Sequence, residues 1–127
     1  MTALLIWLQA FAWTLLIELP IALAVAPRGE DDDGEDRAWR WRRVLALGAA
    51  INLATHPLVT IVWFRAAESG DQTLALFLLM ETAVVLVEAL LWRIAAGWSW
   101  RRSALLALAT NVPSAAASPL VAMWIIR

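Results

Sequence analysis

The chain has 127 residues, 62% of them hydrophobic, with nine tryptophans, no cysteine and a formal net charge of −1. This composition excludes a soluble globular domain and is typical of a membrane protein. The absence of cysteine excludes disulfides, thiol redox pairs, thiolate metal sites and a cysteine nucleophile.

Four segments have the roughly 20 mostly apolar residues needed to cross a hydrocarbon core of about 30 Å. The predicted helices are 3–26, 44–64, 72–91 and 103–126, all within a single integral membrane domain, 1–127. We therefore predict an all-α membrane protein, a bundle of four transmembrane helices with adjacent helices antiparallel. Kinks are expected because prolines fall inside the spans. These are Pro20, Pro57, Pro113 and Pro119.

The first segment invites a second interpretation, a secretory signal, because Ala24-Val25-Ala26 has the small-x-small form of a cleavage site. Three features argue against it: no basic residue precedes the apolar run, Glu18 interrupts it, and Pro27 follows the cut directly. We expect this segment to be a helix of the bundle.

The first loop, 27–43, begins with an acidic run from Glu30 to Asp36. A calcium-binding loop with Gly34 at its glycine position would have its first ligand at Gly29 and its last at Arg40. Neither residue carries a carboxylate, so the pattern does not fit. We expect a solvated cytoplasmic loop, with a weak cation or protein contact as the alternative.

The sequence Trp-x-Trp-Arg-Arg occurs twice, ahead of the second and the fourth predicted helices. Indoles lie at headgroup level in membranes, and guanidinium groups reach an anionic leaflet. We interpret both clusters as membrane-interface anchors that contact the lipid bilayer. Their residues are Trp39, Trp41, Arg42, Arg43, Trp98, Trp100, Arg101 and Arg102.

The distribution of arginine predicts the orientation. Eight of the ten arginines fall in the first and third loops, so the positive-inside rule puts those loops in the cytoplasm and both termini outside. We expect a bacterial inner membrane. Nucleic-acid binding is not expected, because the basic residues form two short clusters that tryptophan interrupts.

The two halves of the chain resemble each other. In both, eight residues separate the last anchor arginine from an asparagine, Asn52 or Asn111, and the segment around Glu18 resembles the one around Glu88. We predict two duplicated helical hairpins, with the acidic run inserted in the first and a pseudo-two-fold axis along the membrane normal. The alternative is that tryptophan and arginine recur at any membrane interface. His56 and Glu81 are asymmetric additions, because neither has an equivalent residue in the other half.

Three glutamates, one histidine and two asparagines lie inside the predicted spans. In hydrocarbon such groups cost a few kcal/mol each, so they normally face a bundle interior and mark a functional site. Helical spacing places them in overlapping layers, which predicts one shared ion- or proton-binding centre. The six are Glu18, Asn52, His56, Glu81, Glu88 and Asn111.

Three carboxylates and an imidazole cannot all keep their charges in a medium of low dielectric constant, so a proton, a cation or water must compensate them. A single histidine excludes bis-histidine haem and histidine-rich zinc sites. A metal cation remains a possible cofactor, since one histidine with two or three glutamates suits zinc, manganese or iron. The candidate metal ligands are Glu18, His56, Glu81 and Glu88.

The leading hypothesis is proton- or cation-coupled transport, or conduction, of a small ion or solute. A chain of this length with four helices and a carboxylate, Glu18, in the first is similar in plan to the small multidrug-resistance transporters. It shares no motif with them, and it has further acidic residues, prolines within its helices and a stronger charge bias, so we do not assign it to that family. A bundle this small would need a homo-oligomer to enclose a wide aqueous path.

Two further hypotheses stay open. A membrane-embedded enzyme would use His56 and two glutamates as metal ligands and the third glutamate as general base, although no hydrolase signature is present. A structural or accessory subunit would use the polar residues only to join helices, through hydrogen bonds of about 0.6–2 kcal/mol each. Glutamine would serve that role without the cost of ionisation.

Overall fold

The computed structural model describes residues 3–26 and 34–125, with side chains over 4–26 and 38–117. It contains four α-helices, and the described residues include no strand. The predicted all-helical fold is confirmed. The helices are α1, Ala3–Val25; α2, Gly34–Ser69; α3, Leu74–Ala96; and α4, Trp100–Ile125.

Helix α2 differs most from its predicted span. It begins at Gly34 rather than at residue 44, so the last part of the predicted loop 27–43 is helical. Hydropathy marks where apolar residues begin, whereas the backbone follows helix propensity, and the anchor segment contains no proline or glycine that would end a helix. Residues 30–33, which are most of the acidic run, lie outside the described residues.

Each helix packs against two neighbours. Helix α1 contacts α2 and α4, and helix α3 contacts the same two, so the helices follow one another around the bundle in chain order. The turn between α2 and α3 is short: Gly70 has a φ of 78°, and Thr73 caps α3 by accepting a hydrogen bond from the Leu76 amide. This arrangement is that of an antiparallel four-helix bundle.

The two ends of the bundle differ in packing. At the end that carries both anchors, called the anchor end below, a buried apolar cluster includes Ala22, Val44 and Trp92. The indole of Trp92 stacks on that of Trp98 with ring centroids 5.4 Å apart. The opposite end, which carries the turn between α2 and α3, is called the open end.

Apolar side chains also cover much of the outer surface. Leu16, Leu58 and Leu79 are each about two-thirds exposed. Such extended exposed apolar surface is typical of contact with a membrane. Three helical segments are long and apolar enough to cross one: Leu4–Val25, Ala38–Ser69 and Leu74–Ala96. These properties are compatible with an integral membrane protein. Helix α4, whose side chains are described only to residue 117, is not among the three.

Candidate functional site

Two buried glutamates, Glu18 on α1 and Glu88 on α3, lie at the centre of the site. Their side chains are only 3% and 2% exposed. The amide of Asn52 donates to Glu18 Oε2 at 2.9 Å, and the amide of Asn111 donates to Glu88 Oε2 at 2.6 Å. Each glutamate therefore receives a hydrogen bond from the helix that follows its own.

The second N–H of each amide is also used. Asn52 donates to the carbonyl of Gly48 at 3.2 Å, and Asn111 donates to the carbonyl of Ala107 at 2.9 Å. Both carbonyls lie one turn earlier on the same helix. Because both amide hydrogens are engaged, each asparagine is held in one orientation toward its glutamate.

Two hydroxyl groups complete the site by reaching the other half of the chain. Thr55 Oγ1 lies 3.0 Å from Glu88 Oε1, and Ser114 Oγ lies 2.6 Å from Glu18 Oε1. Each hydroxyl has a single hydrogen and also lies near a carbonyl of its own helix, as Thr55 does with Ile51 at 3.1 Å. For such a hydroxyl, a hydrogen bond to an ionised carboxylate is stronger than one to a backbone carbonyl.

These contacts form a pattern that repeats in the two halves, which we call the glutamate network. In each half the asparagine binds the glutamate of the same hairpin, and a hydroxyl three residues later binds the glutamate of the other hairpin. Each carboxyl oxygen of Glu18 and Glu88 accepts one hydrogen bond from a described residue, and the contacts join all four helices. The network consists of Glu18, Asn52, Thr55, Glu88, Asn111 and Ser114.

The two hydroxyl residues were not among the predicted site residues. Thr55 and Ser114 follow their asparagines at the same spacing, Asn-x-x-Thr in one half and Asn-x-x-Ser in the other. Aligning the halves residue by residue would have revealed this spacing. Hydroxyls are common in membrane helices, so without the alignment neither residue is conspicuous.

His56 lies outside the network, one turn from Asn52 toward the open end. Its Nδ1 is 3.3 Å from the hydroxyl of Thr60, and its ring meets those of Phe11 and Trp7 edge-on at centroid distances of 5.5 and 6.3 Å. The imidazole is thus packed among aromatic rings.

Glu81 also lies outside the network, two turns from Glu88 toward the open end. Its side chain is partly exposed, and it makes no hydrogen bond or ion pair with any described residue. Hydrogen bonds therefore join four of the six predicted residues into one network, whereas His56 and Glu81 form no hydrogen bond with it among the described residues.

A cavity of about 620 Å³ lies between the network and the open end. All four helices line it, and its described lining residues include no arginine or lysine. Both His56 and Glu81 face it, and the glutamate network forms its floor. Its aromatic lining residues are Trp7, Trp13, Trp63, Phe64 and Phe77.

The candidate metal ligands do not form a cluster among the described residues. Over the described part of the chain, no three histidine or acidic side chains lie close enough together to hold a metal ion. The arrangement instead provides two carboxyl groups, of Glu18 and Glu88, that accept hydrogen bonds from neutral donors. The carboxyl group of Glu81 and the imidazole of His56 lie closer to the open end. Such groups can exchange protons or attract a cation.

The chain matches no known protein family, and no similar protein was found among curated proteins or solved structures.

Proposed function

We propose that this chain is a membrane-embedded carrier or conductor, in which Glu18 and Glu88 exchange a proton or a cation during movement of a small solute or ion. The observation that supports this proposal is the position of the glutamate network. It lies at the floor of a cavity that all four helices line. A membrane protein that exchanges a charge in its interior needs an ionisable group at the end of such an access path, and the two glutamates provide one.

The use of glutamate rather than glutamine supports an exchangeable charge. Carboxyl groups are costly in a membrane interior, and those found there usually belong to ion or proton pathways. Among the described residues, the four donors to Glu18 and Glu88 are neutral amides or hydroxyls. These donors stabilise a carboxylate without neutralising it, so a proton or cation is still required for charge balance.

The proposed topology is two duplicated hairpins related by an axis along the membrane normal. The matching hydrogen bonds of the two halves support this duplication, because Asn52 and Asn111 make equivalent contacts. Both anchors would then face the cytoplasm and both termini the outside of a bacterial inner membrane. The open end of the cavity would face outward.

Movement through the bundle would require a change at the anchor end. There the Trp92–Trp98 stack and the apolar cluster separate the network from the proposed cytoplasmic side. We propose that these residues part to release the solute, whether within one bundle or within a homo-oligomer.

The test is flux in liposomes that contain the purified protein and a pH-sensitive dye. We expect a proton or cation flux that Glu88→Gln and Glu18→Gln each reduce at least about tenfold. The matched control is Glu68→Gln, because Glu68 lies at the open end, exposed and beside Arg65 at 3.7 Å. Equal flux in wild type, Glu88→Gln and Glu68→Gln would refute the proposal.

One observation favours a second candidate, a structural subunit: the network joins all four helices. Hydrogen bonds between membrane helices average about 0.6 kcal/mol and rarely exceed about 1.7 kcal/mol. If joining is the only role, changing both Glu18 and Glu88 to glutamine should leave function intact and the bundle equally or more stable. Loss of flux in a stable bundle would exclude this candidate.

A further inference from the structure

The size of the cavity is informative about its occupant. Its volume of about 620 Å³ falls within the range of about 300–1,000 Å³ found for pockets that bind small organic molecules. A single water fills about 30 Å³ of liquid, so an inorganic cation or a proton needs far less space. The cavity is therefore sized for an organic molecule.

The lining of the cavity indicates the chemical class of its occupant. Most of its lining is apolar, and aromatic rings lie on more than one of its walls. On the same helix, Phe77 lies one turn closer to the open end, and Trp63 of α2 meets it edge-on with centroids 6.1 Å apart. On the other wall, Trp7 of α1 stacks on Phe11. Aromatic faces attract cations within about 6 Å of the ring centre.

Glu81 is the carboxyl group best placed to meet an occupant. Glu18 and Glu88 are almost fully buried and have both oxygens engaged, whereas Glu81 is partly exposed to the cavity and has no hydrogen-bond partner among the described residues. In the alignment of the two halves its counterpart is Phe11, so the second half alone carries this acid. Glu81 makes the cavity asymmetric in charge.

We propose that the cavity binds an organic cation, such as an amine or quaternary ammonium with an apolar body, and that Glu81 binds the charged head. The apolar body lies among Trp7, Trp63 and Phe77. This inference rests on the proposed function, for which it names the class of solute: the cation enters from the open end, pairs with Glu81 and lies above the glutamate network.

The test measures binding of benzyltrimethylammonium to the full chain in detergent micelles by calorimetry, at constant ionic strength. This probe cannot lose its charge or donate a hydrogen bond, so its binding reports charge and aromatic contact. We expect saturable binding that Glu81→Gln weakens by about tenfold, equivalent to about 1.4 kcal/mol. Glu68→Gln, which changes an exposed glutamate outside the cavity, should bind as wild type does.

A second variant separates binding from misfolding. Trp63→Leu removes an aromatic face while retaining every carboxyl group, and it should also weaken binding, whereas Trp39→Leu, at an exposed indole of the anchor end, should not. Sodium chloride titrated in place of the probe gives the inorganic arm. Binding of sodium with equal affinity, or equal probe binding by the Glu81 and Glu68 variants, would overturn the inference.

The flux and binding experiments together distinguish a failure of this inference from a failure of the proposed function. If flux depends on Glu88 but the probe neither binds nor competes, the organic-cation inference fails and transport of a proton or inorganic cation stands. If the probe binds at Glu81 and no flux is measured, the cation site stands and the transport proposal fails.

Discussion

At the scale of single residues, the site depends on hydroxyl groups that can donate one hydrogen bond and amide groups that can donate two. Thr55 can give its only hydrogen either to Glu88 or to a carbonyl of its own helix, and Ser114 has the same choice with Glu18 and Asn111. When a carboxyl group gains a proton its attraction for such a donor falls, because the charge-assisted bond becomes a neutral one. The two hydroxyls can therefore respond to the charge of the opposite hairpin.

We predict that Thr55→Val lowers the free energy of unfolding by about 1–2 kcal/mol, because one oxygen of buried Glu88 loses its donor. The matched control is Thr82→Val, which removes an exposed hydroxyl that donates only to the Leu78 carbonyl at 2.7 Å. Its effect should stay within about 0.5 kcal/mol. Unfolding in mixed micelles measures both. Equal losses in the two variants would show that the hydroxyl of Thr55 bonds only to its own helix.

At the scale of helices, the sequence predicted more of the fold than of the site. Apolar length located four helices, since covering hydrocarbon sets a minimum run of residues. It did not locate the start of α2, where arginine and tryptophan continue the helix beyond the apolar run.

The sequence predicted only those site residues whose polar side chains are energetically costly in a membrane span. Glu18, Asn52, Glu88 and Asn111 stand out because polar groups are expensive in an apolar span, and they do meet. The contacts that cross between hairpins depend on which helices are neighbours, and sequence spacing within one helix does not contain that information.

Helices α1 and α2 approach closely at Gly48. A Cβ there would lie 2.9 Å from Leu19 Cδ2 and 3.6 Å from the Trp92 ring. We predict that Gly48→Ala is nearly neutral, because the end of a leucine can shift and alanine gains about 0.5–1 kcal/mol of helix stability over glycine.

A larger side chain at Gly48 should separate the helices. Gly48→Leu is expected to lower the free energy of unfolding by about 1–3 kcal/mol, as overpacked sites do, and to weaken the neighbouring Asn52–Glu18 bond. Ala50→Leu, on the exposed side of the same helix, is the control and should change stability by less than about 0.5 kcal/mol. Equal stability of the two leucine variants would contradict this packing.

At the scale of the whole molecule, the proposed duplication of hairpins about an axis along the bundle would put like ends together. Both anchors lie at one end, so the charge bias of the sequence and the closed packing around Trp92 coincide. The cavity lies toward the other end. The bundle is thus asymmetric along its length, although the hydrogen bonds of its two halves match. The orientation in the membrane therefore decides from which side the cavity is reached.

The orientation can be tested because the chain contains no cysteine. We predict that Ser69→Cys, exposed at the end of α2, reacts with a membrane-impermeant maleimide added to intact cells, whereas Ser99→Cys, exposed between α3 and α4, reacts only after lysis. The physical reason is that arginine-rich loops remain on the cytoplasmic side during insertion. The opposite labelling pattern would reverse the orientation and make the cavity open to the cytoplasm. Labelling of both sites from one side would contradict a single crossing by α3, which separates them.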